Sequence, residues 1–255
     1  MFALERQKLI LEMLKNDGAV TVSNLSSVFS VTEETVRRDL EKLEKQEALR
    51  RTHGGAVSIE EGTYELSLEK RKSKNVEAKK LLAKAACDMI VSGDTIFLDA
   101  STTTFFIAKE LKKRRNITVI TNSLRVIAEL SGVSDIKTIA VGGVVSENQS
   151  FVGSLAEKSI QENFVASKMF FSSKGITAEA GILESNEREC GIKQKMIAAS
   201  GTKYYVCDSS KIGRIGFVKL ADFSDIDYFI TEAELDKKLA DCLEDNDIII
   251  ERITQ

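Results

Sequence analysis

The stretch from Thr21 to Ala56, TVSNLSSVFSVTEETVRRDLEKLEKQEALRRTHGGA, constrains the fold more than any other part of the chain. Val22, Leu25, Val28 and Phe29 recur at three- and four-residue steps, which gives a helix one apolar face. Thr21 or Ser23 can cap that helix, because a hydroxyl ahead of an apolar-periodic run satisfies a backbone N–H the first turn leaves free. Ser30 breaks the repeat. Thr32 then opens a second helix, with Glu33 and Glu34 in its first turn, where the helix dipole favours negative charge. Its buried stripe is Val36, Leu40 and Leu43, while Thr35, Arg37, Arg38 and Lys42 stay on the polar side or its borders. Leu9, Ile10, Met13 and Leu14 supply a third amphipathic helix, and three short helices can bury one small core.

The tail Leu49-Arg50-Arg51-Thr52-His53-Gly54-Gly55-Ala56 reads as a short hairpin, or wing. A short helix, a tight turn and a longer helix with an arginine-bearing face suit a DNA groove. Arg50, Arg51 and His53 could hold backbone phosphates or a minor groove, and Arg37 or Arg38 could read guanine edges. The plainer alternative is a packed trihelical module with solvated arginines. Net charge does not separate the two, because residues 1–57 carry nine Lys/Arg and nine Asp/Glu. Any positive field must come from local clustering.

At 255 residues, with 43% hydrophobic and 29% charged residues, the chain has the composition of a soluble globular protein of one or two domains. The N-terminus MFALERQK has no apolar stretch of the secretory kind, and no apolar run approaches the ~18–20 residues that span a bilayer. No membrane association is expected. Cys87, Cys190, Cys207 and Cys242 are scattered and His53 is the sole histidine, so no metal site is expected and free thiols in a reducing cytoplasm are the simplest account.

Residues 58–75 lack a sustained apolar period and read as a linker between a DNA-binding domain, 1–57, and a second domain, 76–255. The second domain alternates. Helical patterns at 76–91, 103–114, 123–131, 153–163, 187–200 and 233–243 separate short apolar strands at 95–99, 117–121, 136–141, 169–172, 204–208, 228–231 and 248–250. That alternation predicts a parallel sheet covered on both faces, whose ligands bind at the carboxyl ends of strands.

Polar residues collect at those ends. Asp99-Ala100-Ser101-Thr102-Thr103-Thr104 runs into a helix, where hydroxyls and free N–H groups form an anion site, or plain capping by Ser101 or Thr102. Thr121-Asn122-Ser123 stands at another helix start, Gly142-Gly143 admits a close backbone approach or a turn, and Gly153 opens a helix. Asp208-Ser209-Ser210-Lys211 ends a later strand. Glu189 and Lys193, four apart, share a helix face, either as a surface pair or projecting into a pocket. Together these residues favour a small, anionic, polyhydroxylated ligand such as a phosphorylated sugar.

The run Val31-Thr32-Glu33-Glu34-Thr35-Val36-Arg37-Arg38-Asp39-Leu40, with Leu43 and Arg51-Thr52-His53-Gly54-Gly55-Ala56, resembles the signature of DeoR-type bacterial transcriptional regulators. The resemblance covers about residues 3–231. It implies an α/β protein: an N-terminal winged helix-turn-helix plus a Rossmann-like, ribose-5-phosphate-isomerase-like effector domain. Asp99-Ala100-Ser101-Thr102-Thr103 sits where the family has its phosphate loop, and Thr121-Asn122-Ser123, Gly142-Gly143, Gly153, Glu189, Lys193 and Asp208-Ser209-Ser210-Lys211-Ile212-Gly213 match further motifs in order. Ser101 stands where many relatives have glycine, and Ser173-Lys174-Gly175 falls in a segment that varies. The expectation is a cytoplasmic repressor of a sugar-utilisation operon, a dimer or tetramer on double-stranded operator DNA, modulated by a sugar phosphate and needing no cofactor.

The competing reading is a sugar-phosphate isomerase with an added N-terminal domain. Glu189, Asp99 or Asp208 would be its general base. The isomerase relatives carry an acidic pair where this chain has Ser172-Ser173-Lys174-Gly175, which favours a sensor. A purely structural adaptor would leave the polar strand ends unexplained.

Overall fold

Capping hydroxyls set where the first helices begin. In the computed structural model, which describes residues 3–17, 19–46, 48–52, 54–58 and 68–254, helix α1 covers Ala3–Asp17, strand β1 Ala19–Thr21 and helix α2 Val22–Phe29. The Thr21 hydroxyl caps α2 by accepting from the Asn24 N–H at 3.2 Å, and Ser30 ends it in the left-handed region at φ 52°. Helix α3 covers Glu33–Lys45, capped by the Thr32 hydroxyl, which accepts from the Thr35 N–H at 3.3 Å. Strands β2 (Leu49–Thr52) and β3 (Gly55–Ser58) form the expected hairpin, and β1 pairs antiparallel with β3. A Cβ on Gly55 would fall 1.9 Å from the Val20 carbonyl oxygen, so glycine is required where β3 meets β1.

The core of this unit holds Ile10, Leu14, Val22, Leu25, Phe29, Val36, Leu40, Leu43 and Leu49. Two residues expected on apolar faces turn outward instead. Val28 is 55% exposed and Leu9 37%, each one position beside the buried row.

Contacts divide the chain into two compact units, residues 1–66 and 67–255. The second unit begins with α4 (Leu68–Ser73) and α5 (Val76–Asp88), so a helix occupies part of the segment read as a linker. It continues through β4 (Thr95–Leu98), α6 (Thr102–Leu111), β5 (Ile117–Thr121), α7 (Leu124–Leu130) and β6 (Ile136–Ala140). A ribbon, β7 (Val144–Val145) with β8 (Phe151–Val152), leads to α8 (Ser154–Asn163) and β9 (Ala166–Phe171). Then come β10 (Gly175–Thr177), β11 (Gly181–Glu184), α9 (Glu187–Ala198), β12 (Ser200–Val206), β13 (Val218–Ala221), β14 (Tyr228–Thr231), α10 (Lys237–Glu244) and β15 (Ile249–Arg252).

Seven strands form one sheet in the order β15-β14-β12-β9-β4-β5-β6, every neighbouring pair parallel. Alternate residues of each strand enter opposite cores. Ile96, Leu98, Phe170, Tyr204, Val206 and Ile230 pack with α5, α6 and α7. Phe97, Met169, Phe171, Tyr205, Cys207 and Phe229 pack with α8, α9 and α10. Strands β10, β11 and β13 form a second, antiparallel sheet on the latter side. These three strands lie outside the helix–strand alternation read from the sequence.

Candidate ligand site and DNA-reading surface

The chain leaves β4 toward β5 and β6 and returns to β9 on the other side of β4, so the sheet reverses its winding between β4 and β9. The crevice beyond the carboxyl ends of those strands is where such a sheet takes ligands. Asp99 follows β4 and Ser172 follows β9. The next strands outward end in Thr121-Asn122 and in Cys207-Asp208.

Asp99 is fully buried, and its carboxylate is saturated. One oxygen accepts from the Thr104 hydroxyl at 2.7 Å and the Ser101 N–H at 3.1 Å. The other accepts from the Ser172 N–H at 3.3 Å and lies 3.0 Å from the Lys193 ammonium. Burial alone would raise this carboxyl, but Lys193 and the bonds from Thr104 and Ser101 outweigh it and hold it below its usual range. The Lys193 ammonium also lies 2.5 Å from Glu184 and donates to the Ser172 carbonyl at 2.7 Å. Burial would lower this lysine, yet its two carboxylates raise it, so it stays charged. Asp99 therefore shapes the loop from inside.

Glu189 is 5% exposed and Lys193 4%, so the two are not a surface pair. Glu189 accepts from the hydroxyls of Ser146, at 3.1 Å, and Ser150. Burial raises its carboxyl above the usual range despite those bonds and Lys193.

Ser101 caps α6, accepting from the Thr104 N–H at 3.1 Å. The next two residues carry first-turn N–H groups that no intrahelical carbonyl can satisfy. Thr102 and Thr103 are buried, and the Thr103 hydroxyl has no hydrogen-bond partner among the described residues. The same holds for the side-chain oxygen of Asn122, whose amide nitrogen donates to the Phe151 carbonyl at 3.2 Å. Thr121, register partner of Leu98, donates its hydroxyl to the Leu98 carbonyl at 2.7 Å, which holds the two strand ends together. Two orphaned oxygens thus stand at neighbouring strand ends. A buried oxygen left unpaired costs ~1–3 kcal/mol, so each of these two can accept a further donor.

Gly142 and Gly143 both have positive φ, 73° and 125°. A Cβ on Gly143 would lie 2.8 Å from that of Ala156, so this glycine admits helix α8. Lys211 is half-buried and donates to the Ser172 hydroxyl at 2.8 Å and the Ser173 carbonyl at 2.7 Å. Among the described residues it has no carboxylate partner. Asp208 accepts from Ser210 and from Asn75 at 2.8 Å, and although burial would raise it, Lys211 and these bonds hold it low.

Sequence reasoning missed Ser172 and Glu184, which complete the Asp99–Lys193 network. Glu184 sits in an apolar strand context that reads as a loop carboxylate. It also missed Asn75 and Lys79. Lys79 is 3% exposed, and it gave no signal because one lysine in a helical pattern normally reads as solvated.

In the first unit, Thr32, Arg37, Arg38, Lys42, Arg50 and Arg51 are exposed and Thr35 is half-buried. His53 lies outside the described residues. Thr32 and Thr35 bond each other at the start of α3, and Arg37 and Arg38 pair with Glu33 and Glu34 one turn back, at 2.6 and 3.3 Å. Val36, Leu40 and Leu43 on the opposite face fix α3 in the core. Asp39, expected only as part of the motif, is buried. It lies 2.5 Å from Arg6 and accepts from Gln7 at 2.9 Å, which ties α3 to α1.

A helix-turn-helix with a wing, joined to a doubly wound α/β unit with a polar crevice, defines a DNA-binding regulator with a sensor domain. The chain belongs to the DeoR family: residues 6–62 match the DeoR-like helix-turn-helix domain and residues 74–233 the DeoR C terminal sensor domain. It is 43% identical to the HTH-type transcriptional regulator YulB of Bacillus subtilis, over 97% of this chain and 96% of that one. It is 36% identical to the L-fucose operon activator of Haemophilus influenzae, over 96% and 98%. With the lactose phosphotransferase system repressor of Streptococcus mutans it shares 34% over 92% and 94%. A solved ribose 5-phosphate isomerase from Methanocaldococcus jannaschii aligns over 55% of each chain, with 13% identity and a TM-score of 0.41. By its family the protein is a transcriptional regulator. Among the described residues no helix is long and apolar enough to cross a membrane.

Proposed function

We propose that the protein is a cytoplasmic repressor of a sugar-utilisation operon whose hold on operator DNA is modulated by a phosphorylated sugar. The observation that carries the ligand class is the pair of buried oxygens, on Thr103 and Asn122, that have no partner among the described residues and lie by the first turn of α6 and the end of β5. A phosphate monoester supplies anionic oxygens for N–H groups, and its sugar hydroxyls donate to such oxygens. Ser101, Thr102 and Thr103 hold the phosphate, with Lys211 as the countercharge. Lys193 is already matched by Asp99 and Glu184 and acts by fixing the loop. Thr121, Asn122, Gly142, Gly143, Glu189 and Asp208 line the remainder. The names of the lactose and L-fucose relatives place both in sugar metabolism, one as repressor and one as activator.

Residues 1–57 bind DNA, 76–255 bind the effector, and 58–75 join them. Thr35, Arg37 and Arg38 face the major groove. Thr32, Lys42, Arg50, Arg51 and His53 hold the backbone or the minor groove. One short recognition helix contacts too few base pairs for specific affinity, so the working form is a dimer or tetramer on a repeated operator.

The test is fluorescence anisotropy with DNA from upstream of the protein's own gene, across a salt series and with a panel of triose, pentose and hexose phosphate esters. Saturable, salt-sensitive binding that one ester weakens supports the proposal. Specific binding that an ester strengthens makes the protein an activator or a co-repressed regulator. Specific binding that responds to no ester removes the effector class.

A further inference from the structure

Helix α4 and the start of α5 make contacts that neither the phosphate loop nor the DNA-reading surface requires. Arg71 donates to the Asn148 side-chain oxygen at 2.7 Å. Asn148 lies in the β7–β8 turn, beside Ser146 and Ser150, which hold Glu189. Four residues on, Asn75 donates its amide to Asp208 at 2.8 Å. These anchors stand on opposite flanks of the crevice: Asp208 ends β12, beyond β9, while the β7–β8 turn follows β6 and bonds back to Asn122 and Leu124 at the end of β5. The segment between them therefore crosses the strand ends. Leu68 is buried at its start, and α4 packs on α6, the helix whose N-terminus faces the site.

Lys79 holds the bend. Its ammonium donates to the carbonyls of Arg71 and Lys74, both at 2.6 Å, and so gathers the end of α4 onto α5. Among the described residues its hydrogen bonds reach carbonyls, and Lys211, Arg71 and Arg125 all add positive potential around it. Burial, with those cations, lowers it to about 8 against the pull of Asp208. An anion arriving beside Lys211 offsets part of that potential and so favours the charged form of Lys79, the form that holds both carbonyls.

We propose that the segment from Leu68 to Lys79 is a strap that an anionic ligand tightens across the strand ends, and that this tightening carries occupancy along the chain toward the helix-turn-helix unit. The proposal rests on the effector reading above and adds how occupancy is transmitted. It meets the requirement that a ligand can shift a two-state element only through different contacts in its two states.

The experiment is amide hydrogen exchange on the full-length chain, with inorganic phosphate as the minimal probe and the strongest ester of the panel. Binding is followed separately by the shift in melting temperature. Strap amides between 68 and 79 are expected to exchange several-fold more slowly when the probe is bound. Asn75→Gly is the companion variant: glycine accepts the left-handed φ of 54° at this position, so the substitution deletes the bond to Asp208 without straining the backbone. A bond to a carboxylate supports about a tenfold effect, so this variant should need about tenfold more ester for the same change in operator binding. Its operator affinity without ester should stay as in the wild type. Ester binding with unchanged strap exchange, or an Asn75→Gly response equal to wild type, overturns the strap and leaves the effector reading standing. Failure of every probe to bind overturns both.

Discussion

On helix α3, Arg37 and Arg38 each meet a glutamate one turn back, yet their side chains remain 51% and 74% exposed. In the α/β unit, Lys193 is closed between Asp99 and Glu184 with 6% of its side chain exposed. The chemistry of the two arrangements is the same, a cation beside carboxylates, but the surrounding dielectric differs. Exposed pairs of this kind contribute ~0.3–0.5 kcal/mol and exchange readily for other partners, so the arginines remain available to phosphates and base edges. A buried network cannot exchange, since each charge depends on the others for solvation. The first arrangement suits reading a polyanion. The second holds a loop in one shape, as the proposed ligand site requires.

The largest expected effect tests the buried side of that contrast. Lys193→Met leaves Asp99 and Glu184 facing each other without a cation, and removing one partner of such a network costs ~3–5 kcal/mol. Urea unfolding of the full chain should show that loss in the α/β transition. A loss below ~1 kcal/mol would mean that water reaches the network and the contrast is false. Acid titration of the wild type tests the same network. Asp99 sits below its ordinary value of 3.8 when folded, so its contribution is complete above that value and falls away as pH drops through the folded one.

Asp39→Ala is the next largest and could break the comparison, because the DNA-reading unit has a buried pair of its own. The side chains of Arg6 and Asp39 are 8% and 4% exposed, and Asp39 ties both Arg6 and Gln7 to α3. A loss of ~3 kcal/mol in a unit of some sixty residues exceeds much of the stability such a small core supplies. Operator binding should disappear while the α/β transition stays in place. Retained operator binding would show that the apolar stripe alone positions α3.

Which of these features the sequence reveals follows from how far apart the partners lie. The α2–α3 pattern is local: Thr21 and Thr32 cap within three residues, and the rows Val22–Leu25–Phe29 and Val36–Leu40–Leu43 repeat at helical steps. The same holds for the strand ends, because Asp99 through Thr104 close a loop with bonds no longer than five residues. Glu184 and Asn75 are different. Asn75 meets Asp208 across 133 positions, and Lys193 meets Glu184 only because a short antiparallel strand delivers it. Periodicity cannot reveal a partner brought in by topology. Val28 and Leu9 mark the same limit on the local side, since apolar residues one step off a buried row look identical in sequence to those on it.

Arg38→Ala tests the exposed side. Its pair with Glu34 is worth at most ~0.5 kcal/mol, so unfolding should be unchanged, whereas a lost arginine contact to a base edge costs ~1–3 kcal/mol of operator affinity. Anisotropy with the operator and a scrambled duplex separates two roles. A loss confined to the operator makes Arg38 a base reader, and an equal loss on both makes it a phosphate contact with a shallower salt dependence.

The smallest effect lies where the two kinds of charge give way to neutral oxygens. The Thr103 hydroxyl is fully buried and has no partner among the described residues, so the folded protein carries its desolvation without return. Thr103→Val keeps the shape of the side chain and removes that oxygen. Stability should therefore hold steady or rise by up to ~1 kcal/mol, the reverse of what a structural capping hydroxyl would show. The response to a phosphate ester should weaken at the same time, because the ligand has lost a contact that only it could make. A melting temperature that falls would mean the hydroxyl already has a partner in the free protein, which would remove half of the pair of oxygens on which the ligand class rests. A melting temperature that holds, with a weakened ester response, would place Thr103 with residues kept for a ligand at some expense to the fold.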